Sequence, residues 1–375
     1  MARGSKIKKI VGKRGVSYRI TVDVGTDPGT GKRKQKVLTA KTKQELETLV
    51  AQTLADVSRN VYVEPVKMTM AQYLDYWLKN YAKTNTEITT YQKYESIMSK
   101  HVIPAIGAIP VTKLAPLHVQ QYLTAKADEG LCGKTLACHY TILNEALNHA
   151  VKWEIIPRNV CMSVTKPKAE WKEVEVLTPE QLKQIMDSLD GIFNHVSHIL
   201  FHTAARIGEV LALKKEDLHL NEGHIMINRT LKPLKGGIIG EGVPKGKKRR
   251  RIDIEAPTVK VFKARLKEIA REKLAIGEGY SDSGYLFAKP DGTPYFPATF
   301  AKYWGNKVWA KTGIRTHPHV LRHTSATMML MAGIPLKTVS EMLGHSSIAI
   351  TADVYGHVTP TSRRQAAKAL VDCLK

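Results

Sequence analysis

The sequence predicts a multidomain chain that is mainly α with small β-sheets. Three observations carry that prediction. A length of 375 residues, 43% of them hydrophobic, is enough for two or three separate cores. Two short stretches, Val16 to Val24 and His224 to Thr230, have the texture of strands. Most of the remaining apolar residues recur at three- and four-residue spacing, the period of a helix.

The first strand alternates polar and apolar through Ser17, Tyr18, Arg19, Ile20, Thr21 and Val22, then meets G-T-D-P-G-T-G, a turn-rich connection to the basic strand K-R-K-Q-K-V-L. Thr42 opens a T-K-Q-E capping box, and Leu46, Leu49, Val50, Thr53, Leu54 and Val57 follow on one helical face that can cover the sheet. Residues 1–63 therefore form a small sheet-plus-helix domain. It holds 14 Lys+Arg against 5 Asp+Glu, and this clustering reads as DNA binding through Lys32, Arg33, Lys34 and Lys36 rather than as a merely solvated sheet.

Pro65 marks a boundary, and residues 64–165 read as a four-helix bundle. Tyr73, Leu74, Trp77, Leu78 and Tyr81 share one face and are expected in the core rather than as base-stacking platforms. Pro104, Gly107 and Pro110 stop one helix before two more run from Leu117 and from Lys134 to Trp153. The charged, proline-punctuated residues 166–177 read as a linker, and 178–375 as a further domain of mixed α+β character.

That last domain starts at a capped T-P-E-Q and continues in a helical run through Arg206 to Leu213. Ala204, Ala205 and Gly208 are small enough to let another chain or a ligand approach the backbone there. R-R-I-D-I from Arg250 is the expected partner of the His224 strand, across a long glycine-rich connection. The connection ends with six cations among Lys245 to Arg251, favoured as a hairpin laid against phosphates over a solvated run or a localisation signal. Helices are expected from about Pro318 to Ala332, from Pro335 to Leu343, and from Thr361 onward.

Fifty-seven Lys+Arg against 34 Asp+Glu give a net charge of +23, which favours a polyanion and makes nucleic acid the leading partner. No apolar run approaches the ~20 residues of a membrane span, and M-A-R-G-S-K-I-K-K lacks the apolar segment of a secretory signal, so no membrane partner and a cytoplasmic location are expected. Cys132, Cys138, Cys161 and Cys373 lack metal or disulfide spacing and read as reduced, mostly buried thiols.

Five motifs then stand in order: T-A-A-R-I-G-E-V with Arg206, P-K-G-K with Lys245, H-P-H-V-L-R-H-T with His319 and Arg322, L-G-H-S-S with His345, and D-V-Y-G-H with Tyr355. In order and spacing they resemble the tyrosine recombinases, with a close match to phage-type and conjugative-transposon integrases. Any one of these residues alone is more often a surface ion pair or a satisfied polar group; five motifs in sequence are specific. The resemblance implies an arm-binding domain at 1–63, a SAM-like core-binding domain at 64–165 and the catalytic domain at 178–375. It implies a nucleophilic Tyr355, a phosphate clamp of Arg206 and Arg322, Lys245 as general acid, His319 and His345 as phosphate hydrogen-bond donors, and Glu209 as a supporting acidic residue. Lys247 remains a rival to Lys245, and Lys247, Lys248 and Arg249 are further DNA-contact candidates.

The chemistry is consistent with those implied roles. Guanidinium forks suit the oxygens of a pentacoordinate phosphorus, and a phenol with a pKa near 10 must lose its proton as it attacks to form a 3′-phosphotyrosyl link. The resemblance further implies double-stranded DNA with core and arm sites, a homotetramer acting through a Holliday junction, accessory DNA-bending or directionality factors, and a bacterial, nucleoid-associated protein. His317, His323 and His357 invite a metal, but no carboxylate or thiolate shares the H-x-x-R spacing, so neither metal nor other cofactor is expected. T-A-A-R replaces the family's usual T-G-L-R and loses a flexible glycine beside Arg206. Two rivals stand beside this reading: a nicking-closing enzyme of the type IB topoisomerase kind, and a DNA-binding protein without catalysis.

Overall fold

The computed structural model describes residues 6–12, 15–26, 31–58, 67–169, 174–234, 237–244 and 249–355. It divides into two compact units, Met1–Trp171 and Lys172–Lys375. Lys245, Lys247, Lys248, His357, Cys373 and the helix expected from Thr361 lie outside the described residues.

The first unit opens with an antiparallel sheet of β1 (Lys8–Gly12), β2 (Gly15–Thr26) and β3 (Arg33–Ala40) in that order, followed by α1 (Lys43–Ser58). The Thr42 hydroxyl accepts from the Glu45 amide at 3.2 Å, as the capping pattern predicts. Ile20, Val22, Leu38, Ala40 and Leu46 make a small core between helix and sheet. Strand alternation puts Lys34 and Lys36 in the same parity as buried Leu38 and Ala40, whereas exposed Arg33 shares the opposite parity with Val37 and Thr39. The basic strand is thus split between the two sheet faces. Register pairs Lys8 with Arg19, both exposed, on that second face.

Helices follow: α2 (Met70–Trp77), a π-helical turn (Leu78–Ala82), α3 (Lys83–Asn85), α4 (Ile88–Ile97), a second π turn (Met98–Val102), α5 (Ile103–Ile106), α6 (Pro116–Asp128) and α7 (Gly133–Lys152). Met70, Tyr73, Leu74 and Trp77 are fully buried, and Trp77 stacks on Tyr81 and Tyr94 at 5.9 and 5.6 Å. The aromatic stripe is core, as its spacing predicts. Cys161 is buried but Cys132 is exposed, because the latter sits just before α7 at the end of a turn rather than on its apolar face.

In the second unit α8 (Pro179–Ser188) begins at Thr178, whose hydroxyl accepts from the Gln181 amide at 3.2 Å, and α9 (Gly191–Thr203) and α10 (Ile207–Val210) follow. The run expected to be one helix through Arg206 is broken. Ala204 is left-handed at φ +50°, and Arg206 caps the short α10. The β5 strand (His224–Ile227) pairs with the Arg250–Asp253 strand as predicted, and β4 (Leu218–His219), which the sequence reading did not include, adds to the other edge of β5. Within the connection β6 (Thr230–Pro233) and β7 (Ile239–Gly242) add a hairpin that the glycines did not announce, making Arg250–Asp253 strand β8. A Cβ on Gly208 would stand 2.8 Å from the Thr230 hydroxyl, so the small residue admits β6 rather than a ligand.

The unit closes with α11 (Ala256–Ile276), α12 (Pro297–Thr312), α13 (His319–Met331), α14 (Leu336–Leu343) and α15 (Ile348–Tyr355). Its main core includes Leu200, Ile225, Phe262, Phe287, Phe300 and Trp304. A satellite cluster of Ala204, Ala326, Leu330, Val339, Leu343 and Tyr355 anchors the residues described next.

Candidate active site

Helical geometry places His319, Arg322 and His323 close together, three and four residues apart at the start of α13. Arg322 is 1% exposed. Its guanidinium donates to the Ala204 carbonyl at 2.6 Å and the Leu343 carbonyl at 2.8 Å, and lies 3.0 Å from His345 Nε2. The left-handed Ala204 turns its carbonyl out of the α9 ladder, which supplies the first acceptor. The end of α14 supplies the second.

That helix end collects three guanidiniums. Gly344 caps α14 in the left-handed conformation, and the terminal carbonyls have no intrahelical donors. Arg250 Nε donates to Met342 O at 3.0 Å and Arg322 to Leu343 O, while Arg206 reaches Gly344 O at a long 3.5 Å. The negative end of the helix dipole favours cations there. Glu209, 1% exposed, is the carboxylate between two of them: Arg250 approaches both its oxygens at 2.7 and 3.3 Å, and Arg206 one at 3.0 Å. Burial opposes the Glu209 charge, but Arg250 and Arg206 outweigh it and hold the carboxyl below its usual range. Three arginines against one carboxylate leave a cationic surplus suited to an anion with two or more acceptor oxygens.

Tyr355, at the end of α15, is 1% exposed and packs in the apolar satellite cluster. Its hydroxyl is 2.5 Å from His323 Nδ1. Burial raises its pKa to about 12, against a downward pull from Arg322, so the phenol is neutral. Burial and then Arg206 push the Arg322 pKa down to about 9, which leaves it charged at neutral pH. His345 Nδ1 lies 2.8 Å from the Thr351 hydroxyl on α15, fixing the ring that touches Arg322. Desolvation, then the neighbouring cations Arg322 and Arg206, hold His345 down to about 4. His319 is exposed, yet the surrounding protein, then His323 and Arg322, lower it to about 3.

Of the six residues taken from the motifs as catalytic, the structure brings five together: Arg206, His319, Arg322, His345 and Tyr355. Glu209 joins them, Lys245 is outside the described residues, and Arg249 is exposed. Two neighbours escaped the sequence reading. Arg250 was hidden in a run of three arginines, although period-two alternation with buried Ile252 and Ile254 points it inward and Arg251 outward. His323 was weighed only as a metal ligand, although it stands beside Arg322.

The Phage integrase family model matches residues 175–362, and the Phage integrase N-terminal SAM-like domain matches 69–127. The chain belongs to the phage integrase family. As a tyrosine recombinase of that family it is an enzyme that breaks and rejoins DNA strands. This integrase is similar to the XerC-like tyrosine recombinase of Caldanaerobacter subterraneus, 28% identical over 95% of this chain and 96% of that one. It is also similar to the ICEBs1 integrase of Bacillus subtilis, 26% identical over 95% and 97%. Among solved structures, the Tn1549 transposon integrase in complex with transposon right end DNA shares its fold at a TM-score of 0.70 and 22% identity, covering 81% of this chain and 100% of that one. A lambda integrase tetramer bound to a Holliday junction does so at 0.56 and 18%, covering 90% and 95%. Among the described residues no helix is long and apolar enough to cross a membrane.

Proposed function

We propose that this integrase performs site-specific strand exchange for a mobile element, with Tyr355 attacking the scissile phosphodiester to form a 3′-phosphotyrosyl intermediate. The carrying observation is the convergence of three guanidiniums, only partly offset by one carboxylate, beside a buried neutral phenol. Arg206 and Arg322 take the non-bridging oxygens and stabilise the charge that grows on phosphorus. His319, which is exposed, donates a further hydrogen bond to the phosphate, and His345 joins it once the phosphate draws Arg322 away from Nε2 and that nitrogen carries the proton. Lys245 protonates the departing 5′-oxygen. Arg322 and Tyr355 are each 1% exposed, so productive DNA binding uncovers them. Arg206, with a 25% exposed side chain, meets the phosphate first.

The sheet face bearing Lys8, Arg19 and Arg33 binds arm-type duplex, and the helices of residues 64–165 bind the core site. Strand exchange proceeds in a homotetramer through a Holliday junction, an assembly suggested by the fold shared with lambda integrase. The test mixes two differently labelled duplexes carrying the ends of the element. Recombinant joints support the proposal. Relaxation of supercoiled plasmid with no joints from cognate ends would instead mark a nicking-closing enzyme.

A further inference from the structure

We propose that His323 is the general base that accepts the Tyr355 proton, a role that rests on Tyr355 being the nucleophile. Among the described residues His323 Nδ1 is the hydrogen-bond partner of the Tyr355 hydroxyl, at 2.5 Å. The two are placed by different elements, α13 and α15, and the 5.8 Å separation of their rings at 51° aims the nitrogen at the oxygen without stacking. His319, one turn earlier on α13, meets the His323 ring edge to face at 4.5 Å and restricts its rotation. Arg322, adjacent in sequence, directs its guanidinium at two carbonyls and His345 rather than at the phenol.

In the step, the Tyr355 O–H bond breaks as Oη–P forms, and the proton passes to Nδ1. The P–O5′ bond breaks, its electron pair leaves on the 5′-oxygen, and the general acid protonates that oxygen. On rejoining, the 5′-hydroxyl gives its proton back to the general acid as its oxygen bonds to phosphorus, the Oη–P bond breaks, and the imidazolium returns its proton to Tyr355. Burial, Arg322 and then His317 lower the His323 pKa to about 4, so the imidazole is neutral and its acceptor lone pair is available. The charged and titratable groups around it are Arg322, His319 and His317 at the start of α13, His345 after α14, and Tyr355 on α15. A bound phosphodiester adds negative charge beside this cationic group and favours the imidazolium in the transition state.

The test follows covalent adduct formation on a nicked duplex across pH 6 to 9 for the full chain. His323→Asn retains an acceptor oxygen near the Nδ1 position but cannot take the proton; His323→Ala removes both. Both are expected to slow adduct formation about 100-fold or more at neutral pH. The deficit should narrow as pH rises and solvent base replaces the imidazole, and added imidazole should rescue His323→Ala. DNA affinity should be unchanged. Wild-type rates in either variant, full rescue by Asn, or a pH-independent deficit that imidazole does not relieve overturns the assignment. Tyr355→Phe is run alongside: adduct from that variant overturns the nucleophile itself, whereas its absence confines any failure to His323.

A separate observation carries a second proposal: we infer a site for a zinc-class divalent cation at the β4–β5 hairpin. Register sets His219 directly opposite His224, their rings lie 4.5 Å apart, and Glu222 from the turn brings Oε2 to 3.6 Å from His224 Nδ1. One ligand atom from each of the three lies within 4.8 Å of the others. His224 is 6% exposed and its Nδ1 has no hydrogen-bond partner, the condition a metal would relieve. Three ligands with one side toward solvent suit tetrahedral zinc completed by water. Titration with Co²⁺ alone should give one saturable equivalent with tetrahedral visible bands, lost in His224→Ala and in His219→Ala. No saturable binding, or unchanged stoichiometry in both variants, overturns it.

Discussion

Removing Arg250 should destabilise the protein strongly, because of the buried carboxylate it leaves behind. Arg250 is 10% exposed and contributes two bonds to Glu209 and one to the Met342 carbonyl. Arg250→Ala strands a carboxylate that is 1% exposed, with Arg206 as its remaining cation among the described residues. Breaking a buried pair from one side costs about 3–5 kcal/mol. Glu209→Gln together with Arg250→Ala should recover about 1–3 kcal/mol of that, since the orphaned charge is gone. Urea unfolding of the wild type, the two single variants and the double variant gives the coupling energy directly. The catalytic consequence is separable: freed from Arg250, Glu209 competes with phosphate for Arg206, so adduct formation should fall further than DNA affinity. An Arg250→Ala protein within about 1 kcal/mol of wild type, or a coupling energy near zero, would refute the claim that the arginine pair neutralises Glu209.

Three more outcomes follow. Ala204 is fully buried and left-handed; Ala204→Gly should stay within about 1 kcal/mol of wild type, while Ala204→Val should cost about 2 kcal/mol or more by adding bulk to a strained backbone, both read by urea midpoint. Arg322→Lys keeps the charge but not the fork that spans Ala204, Leu343 and His345, and single-turnover cleavage should drop about 100-fold or more with DNA affinity nearly preserved. His319, His323, His345 and His139 have folded-state pKa values lowered to about 3, 4, 4 and 4. The unfolded chain therefore takes up protons first as pH falls below about 6.5, and stability should decline from there toward pH 4 while staying flat above; equal urea midpoints at pH 7.5 and 5 would contradict this.

Strands β2, β3, β5 and β8, the capped helices and the aromatic core were legible because each rests on a local period or a local hydrogen bond. Thr42 and Thr178 announce their helices within four residues, and Trp77 its burial within a turn. The motif residues were legible as chemical types in order. Their support was not. Nothing within a few residues of Ala204 shows that its carbonyl will receive a guanidinium from a residue 118 positions later. The collection of Arg206, Arg250 and Arg322 at the end of α14 is likewise a tertiary event, and only the inward parity of Arg250 was available locally. Ala204 stands where the family's usual motif has glycine, and its positive φ explains that preference: the position needs a left-handed residue. In sequence His323 reads only as a metal-ligand candidate among neighbouring histidines, because its contact with Tyr355 is made across 32 residues.

The claim that Tyr355 is the nucleophile is tested most directly by trapping. Wild-type protein incubated with a nicked suicide duplex should form a covalent adduct, and peptide mass spectrometry should find the nucleotide on Tyr355. Tyr355→Phe should bind the duplex and yield no adduct. An adduct in that variant, or a modified peptide that does not contain Tyr355, would contradict the account.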